Sequence, residues 1–139
     1  MDGTYAGDVD PADSYAALQA SADAVLVDVR TAAEWSYVGL PDLSHIGKRV
    51  IPIEWQRFPD GTQNGSFLEQ LRHAGVAEGA PIYFLCRSGV RSVAAAKAAT
   101  AAGLGPAYNV SDGFEGPLDR DGHRTVAGWK AAGLPWRQG

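Results

Sequence analysis

The stretch Ile82-Tyr83-Phe84-Leu85-Cys86-Arg87-Ser88-Gly89-Val90-Arg91-Ser92 decides how the chain folds. Its first four residues are continuously apolar and follow Pro81, the pattern of a strand buried on both faces. Cys86 ends that strand. After the loop Arg87 to Val90, the alanine-rich segment Arg91 to Ala102 has high helix propensity and stops at Gly103. A buried strand that turns tightly into a helix is half of a parallel crossover, so similar units are expected on both sides.

They are present. On the N-terminal side, a short strand is expected from Tyr5 to Val9, then the Asp10-Pro11 turn and a helix to Ala20 with Pro11 at its first position. Val25-Leu26-Val27 reads as a second strand closed by Asp28. Thr31 and Glu34 form a Thr-x-x-Glu capping box for a short helix over Ala32 to Tyr37. Val38 to Lys48 reads as a loop, and Val50-Ile51-Pro52-Ile53 as a short strand that its proline limits or places near an edge. Gln56 to Gly65 is loop, and Ser66 to Ala74 is a helix with Phe67, Leu68 and Leu71 on one face. Beyond the cysteine unit, Ala107 to Val110 is a fifth strand, Ser111 to Arg124 a long loop, and Val126 to Ala132 a final helix. Five strands alternating with helices imply an α/β fold, a parallel sheet with helices on both faces. In such sheets ligands bind at the carboxyl ends of the strands, where Cys86 falls.

The composition bounds the function. A chain of 139 residues with 45% hydrophobic and 20% charged residues is expected to form one domain over residues 1–139. Its net charge of −4 lacks the basic footprint of a nucleic-acid binder. No apolar run approaches a membrane span, and Met1-Asp2-Gly3-Thr4 has no signal-peptide character, so a cytoplasmic protein without membrane partners is expected. The lone cysteine fits a reducing compartment. His45, His73 and His123 are scattered without ligand spacing, and Asp119-Arg120-Asp121-Gly122 lacks the glutamate of a calcium loop, so no metal or other cofactor is expected.

Cys86 is either a small buried hydrophobe or a reagent. Its sequence neighbours favour the reagent. A tight loop entering a helix aims backbone N–H groups inward, the helix dipole adds partial positive charge, and Arg87 and Arg91 add two full charges. These groups favour the thiolate, the nucleophilic form.

Cys-Arg-Ser-Gly-Val-Arg-Ser at 86 to 92, Val25-Leu26-Val27-Asp28-Val29-Arg30 with Glu34-Trp35, and Gly128-Trp129-Lys130-Ala131-Ala132-Gly133-Leu134-Pro135 together resemble the rhodanese sulfurtransferases. They occur in that family's order and spacing and take in residues 5 to 137. The resemblance implies a single rhodanese-like domain in which Cys86 carries a persulfide and Arg87, Ser88, Gly89, Val90 and Arg91 cradle its outer sulfur. It casts Asp28, Arg30 and Ser92 as supports, with Asp28 and Arg30 pinning the loop after the second strand. The same scaffold hosts phosphatases with a Cys-x5-Arg loop, whereas the count here is Cys-x4-Arg, a smaller pocket suited to one sulfur.

The expected reaction moves sulfane sulfur from thiosulfate or another persulfidic donor to cyanide or a thiol. The alternatives are a sulfur carrier that serves a protein donor or acceptor, and a cysteine-dependent phosphatase or arsenate reductase. Glu34 is expected to serve its cap and Trp35 the core. Trp55, Arg49 and Arg57 are weighed between lining the pocket mouth and ordinary packing or surface roles, and Phe114 is expected to shield the persulfide. The family often carries Gly-His-Ile-Pro-Gly-Ala between the second and third strands. Here the longer Val38 to Lys48 stands in its place, and it joins Asp112 to Arg124 as a docking candidate for a partner.

Overall fold

The structure, a computed structural model, describes residues 4–57, 60–116, 120–122 and 127–138. The chain runs through β1 (Gly7–Val9), α1 (Pro11–Ala20), β2 (Val25–Asp28), α2 (Ala32–Tyr37), β3 (Leu40–Pro41), a 3₁₀ turn at Ser44–Ile46 and β4 (Ile51–Pro52). It continues through α3 (Phe67–His73), β5 (Ile82–Leu85), α4 (Val90–Ala101), β6 (Ala107–Val110) and β7 (Trp136–Arg137). The five strands expected from sequence form one sheet in the order β1-β6-β5-β2-β4, every pair parallel.

Alternation along the central strands divides the core in two. Ile82 and Phe84 of β5 point with Val27 and Ala107 toward Phe67 and Leu71 of α3 and Ala95, Ala96 and Ala99 of α4. Tyr83 and Leu85 point the other way with Leu26 and Val110, toward Leu18 of α1, Leu43, Phe114 and Trp129. Each large apolar side chain buried in this way contributes roughly 1.5–3 kcal/mol. The alanines of α4 leave no bulk between helix and sheet, which brings the start of α4 close to the end of β5.

Local chemistry sets the element ends. The Asp10 side chain accepts from the Asp13 backbone N–H and caps α1, which begins at Pro11. The full Thr31/Glu34 capping box starts α2. Pro52 lies on the edge strand β4, where its missing N–H costs no ladder bond. Asp28 and Arg30, both fully buried, form an ion pair at the end of β2, with Arg30 Nη2 2.7 Å from Asp28 Oδ2 and 2.6 Å from the Gly39 carbonyl. That second bond ties β2 to the segment that follows α2.

Three expectations are corrected. The final helix does not form over the described part of 126–132; residues 128–133 are turns. Gly128 has φ +103°, and the N–H groups of Trp129 and Lys130 bond instead to the carbonyls of Gly113 and Phe114. Residues 38–48 are not all loop, because β3 pairs antiparallel with β7 near the C-terminus. Trp35 is half-buried rather than a core residue, because α2 buries none of its side chains fully. Asp119, His123, Arg124 and Val126 lie outside the described residues.

Candidate active site

Cys86 follows the last residue of β5 and is 1% exposed. Its sulfur sits under the turn into α4. The Gly89 N–H points at Sγ from 3.1 Å, and Ser92 Oγ lies 3.2 Å away. Gly89 makes this turn with φ +106° at the N-terminus of the twelve-residue α4, so the positive end of the helix faces the sulfur.

The loop is held from behind. The Phe114 N–H donates to the Cys86 carbonyl at 2.8 Å, and the N–H groups of Glu115 and Gly116 donate to the Arg87 carbonyl at 3.0 and 3.1 Å. This approach requires glycine at 113. A Cβ there would stand 2.5 Å from the Cys86 carbonyl oxygen and 2.7 Å from that of Arg87, at φ +61°. The backbone of residues 113–116 therefore meets the cysteine loop. The Phe114 ring belongs to the opposite side of the sheet, packed under the Arg30 guanidinium at 4.3 Å, and is no part of a shield over the sulfur.

The residues expected to form the cradle have different surroundings. Arg87 is exposed, with its Nε 3.5 Å from Glu115 Oε2. Ser88 and Gly89 are half-buried, and Val90 is exposed. Arg91 is engaged by Glu34 through two bonds, Nη1 to Oε1 at 2.7 Å and Nη2 to Oε2 at 2.9 Å. Burial pushes the Glu34 carboxyl up, but the hydrogen bonds from Arg91 and the Thr31 N–H outweigh it and hold it at about 2. The hydrogen bonds to Glu34 raise the Arg91 pKa against the effect of burial, helped by the charges of Glu34, Cys86 and Asp28. Glu34 thus caps a helix and neutralises a loop arginine, and only the first role is visible in its local sequence.

A cleft of about 440 Å³ opens beside the loop, lined by Thr31, Ala33, Glu34, Tyr37, Val38, Gln56, Arg57, Gly61, Arg87 and Arg91. Arg57 lines this cleft, whose lining does not take in Cys86, and its Nη2 donates to Asn64 Oδ1 at 2.8 Å. Arg49 lines a separate hollow with Lys48 and Arg137, and Trp55 packs edge-on against Phe67 at 5.0 Å. Among the described residues no group of three or more His, Cys, Asp or Glu side chains comes together to hold a metal ion. None of the described helices is long and apolar enough to cross a membrane.

Two residues of this site were not anticipated. Asn109, 4% exposed on β6, accepts from the Ser92 hydroxyl at 2.5 Å and donates through Nδ2 to Asp8 on β1 at 3.0 Å. An amide inside the apolar run Ala107-Tyr108-Asn109-Val110 is the signal that marks it, because a buried polar side chain needs partners.

The arrangement presents one sulfur to a backbone donor, a hydroxyl and a helix N-terminus, with arginines at the rim. It can support nucleophilic attack by sulfur on a small anion. The profile described as the STR4 middle domain matches residues 7–139. An uncharacterized protein of Rickettsia conorii is 42% identical over 125 residues, 89% of this chain and 91% of its own length. Rhodanese-like domain-containing protein 4, chloroplastic, of Arabidopsis thaliana is 27% identical over 124 residues, 88% of this chain and 24% of that protein. The crystal structure of Rv0390 from M. tuberculosis superposes with a TM-score of 0.91 at 54% identity, covering 98% of this chain and 100% of that one. The solution structure of a polysulfide-sulfur transferase homodimer from Wolinella succinogenes gives 0.65 at 24% identity, covering 95% and 78%, a likeness of fold.

Proposed function

The chain belongs to the STR4 middle-domain family and has a rhodanese-like fold, and from that premise we propose that it is a sulfurtransferase whose sulfur carrier is Cys86. The observation that supports this most is the position of Sγ, 3.1 Å from the Gly89 N–H at the start of α4.

In the proposed cycle the Cys86 thiolate attacks the outer sulfur of thiosulfate. The Sγ–S bond forms as the donor S–S bond breaks, and its electron pair leaves with sulfite. The negative charge passes to the outer sulfur of the persulfide, where loop N–H groups and the helix N-terminus stabilise it. A second displacement by cyanide or a thiol removes that sulfur and restores the thiolate. Another persulfidic donor fits the same steps. Arg57 and Arg87 at the cleft attract an anionic donor, and no metal or organic cofactor takes part.

A second reading is a carrier that exchanges sulfur with a dedicated protein and turns over small molecules slowly. The burial of Cys86 and the engagement of Arg91 by Glu34 favour it, since both restrain a small free anion. Steady-state kinetics with thiosulfate and cyanide decide between the two. The enzyme reading predicts parallel double-reciprocal lines and no turnover in Cys86→Ser; full activity in that variant contradicts both readings. Persulfide formation with negligible cyanide turnover selects the carrier.

A further inference from the structure

The Ser92 hydroxyl lies between two acceptors and has one proton to give. On one side is Cys86 Sγ at 3.2 Å, on the other Asn109 Oδ1 at 2.5 Å. The orientation of the Asn109 amide is chemically determined. Its far end meets the Asp8 carboxylate at 3.0 Å, which only accepts, so Nδ2 faces Asp8 and Oδ1 faces Ser92. Asp8 also accepts from the Tyr5 hydroxyl at 2.9 Å. Ser92 and Asn109 are buried, so a bond lost by either is costly.

We propose that Asn109 is a positioning residue for sulfur transfer, competing with Cys86 for the Ser92 proton and so biasing the sulfur from the thiolate toward the persulfide. The inference rests on Cys86 as the sulfur carrier. In the thiol state S–H donates to Ser92 Oγ, and Ser92 donates to Asn109. In the thiolate state Sγ carries the charge and draws the Ser92 proton, because hydrogen bonds to charged groups are the stronger ones. Asn109 Oδ1 then loses its donor. Once Sγ has attacked a donor and the leaving group has departed with the electron pair of its S–S bond, the charge lies on the outer sulfur. Sγ is then a neutral sulfane atom, and the Ser92 proton returns to Asn109. The cost that Asn109 imposes falls on the thiolate alone and is relieved by sulfur loading. The charged groups that bear on Cys86 are Arg91 of α4, itself paired with Glu34 of α2 and acted on by Asp28 of β2, and Asp8 of β1 beyond Asn109.

The chain has a single cysteine, so the pH dependence of its alkylation by iodoacetamide reads Cys86 directly. Four full-length proteins are compared: native, Asn109→Ala, Ser92→Ala and the double variant. With its competitor removed, Ser92 donates freely to the thiolate, and Asn109→Ala lowers the alkylation midpoint by about one pH unit, the scale of one hydrogen bond to a charged group. In the Ser92→Ala background the same substitution moves nothing. An equal shift in both backgrounds, or none in the native background, overturns the proposal, since a merely structural amide does not act through the Ser92 hydroxyl. If Asn109→Ala does not fold, Asp8→Ala on the exposed edge strand frees the amide to turn and is judged by the same criterion. These assays use no sulfur donor, so a failure here is distinct from a native protein that never takes up sulfur, which contradicts the proposed function.

Discussion

At the scale of single residues, the proposed chemistry centres on Cys86 and the groups that touch it. The thiol and its loop were legible because cysteine, glycine and arginines are adjacent in sequence, and a strand–turn–helix read from propensity places them at a sheet edge. The partners that tune them were not legible. Glu34 reaches Arg91 from 57 positions away, and Asn109 reaches Ser92 from 17. No local pattern encodes such pairs. Glu34→Gln tests the first. With Arg91 released from a full carboxylate, the KM for thiosulfate is expected to fall several-fold; an unchanged or higher KM counts against Glu34 as the group restraining Arg91. The same substitution bears on stability. The Glu34 carboxyl is held below its ordinary 4.5, at about 2, so its contribution is complete above pH 4.5 and is lost as pH falls toward 2. The variant should therefore show a shallower loss of stability over that interval in acid titration. At neutral pH it should cost about 1 kcal/mol, the scale of a partly exposed pair.

At the scale of elements, periodicity and capping account for what the sequence made visible. The five sheet strands, the Thr31 box and the proline at the start of α1 follow from local rules and sit within a residue or two of their expected bounds. What sequence missed depends on distant contacts. β3 and β7 are two residues each, too short for any alternation, and exist because they pair with one another. The segment after Gly128 has helical composition, but the N–H groups of Trp129 and Lys130 bond to the carbonyls of Gly113 and Phe114, and the chain closes a turn, Ala132 N–H to the Gly128 carbonyl, rather than a helix. Residues 113–114 in turn support the cysteine loop, so the apparent helix is one layer of that loop's scaffold. Gly113→Ala measures how closely these layers fit. The Cβ clash and positive φ predict a loss of about 2–3 kcal/mol in urea unfolding. At Gly103, where φ is also positive but nothing lies within 4 Å, alanine should cost about 1 kcal/mol. Equal losses at the two positions contradict the close packing of 113–116 on the loop.

At the scale of the whole molecule, the parallel sheet gathers the site. β5 is the central strand, so its carboxyl end is flanked by the ends of β2 and β6. The Asp28–Arg30 pair comes from one and the backbone of 113–116 from beyond the other. Asn109 follows from the same order, since β6 lies between β5 and β1 and brings an edge-strand carboxylate into reach of the buried amide. A net charge of −4 coexists with a cleft that gathers Arg57, Arg87 and Arg91, of which Arg91 is paired with Glu34 in the same lining and Arg87 lies 3.5 Å from Glu115. Intact-protein mass spectrometry after incubation with thiosulfate, before and after a reductant, tests the central claim without knowledge of the acceptor. The native chain should gain the mass of one sulfur atom, reductant should remove it, and Cys86→Ser should gain nothing. A native protein that stays unmodified, or a gain that persists in the serine variant, contradicts Cys86 as the sulfur carrier.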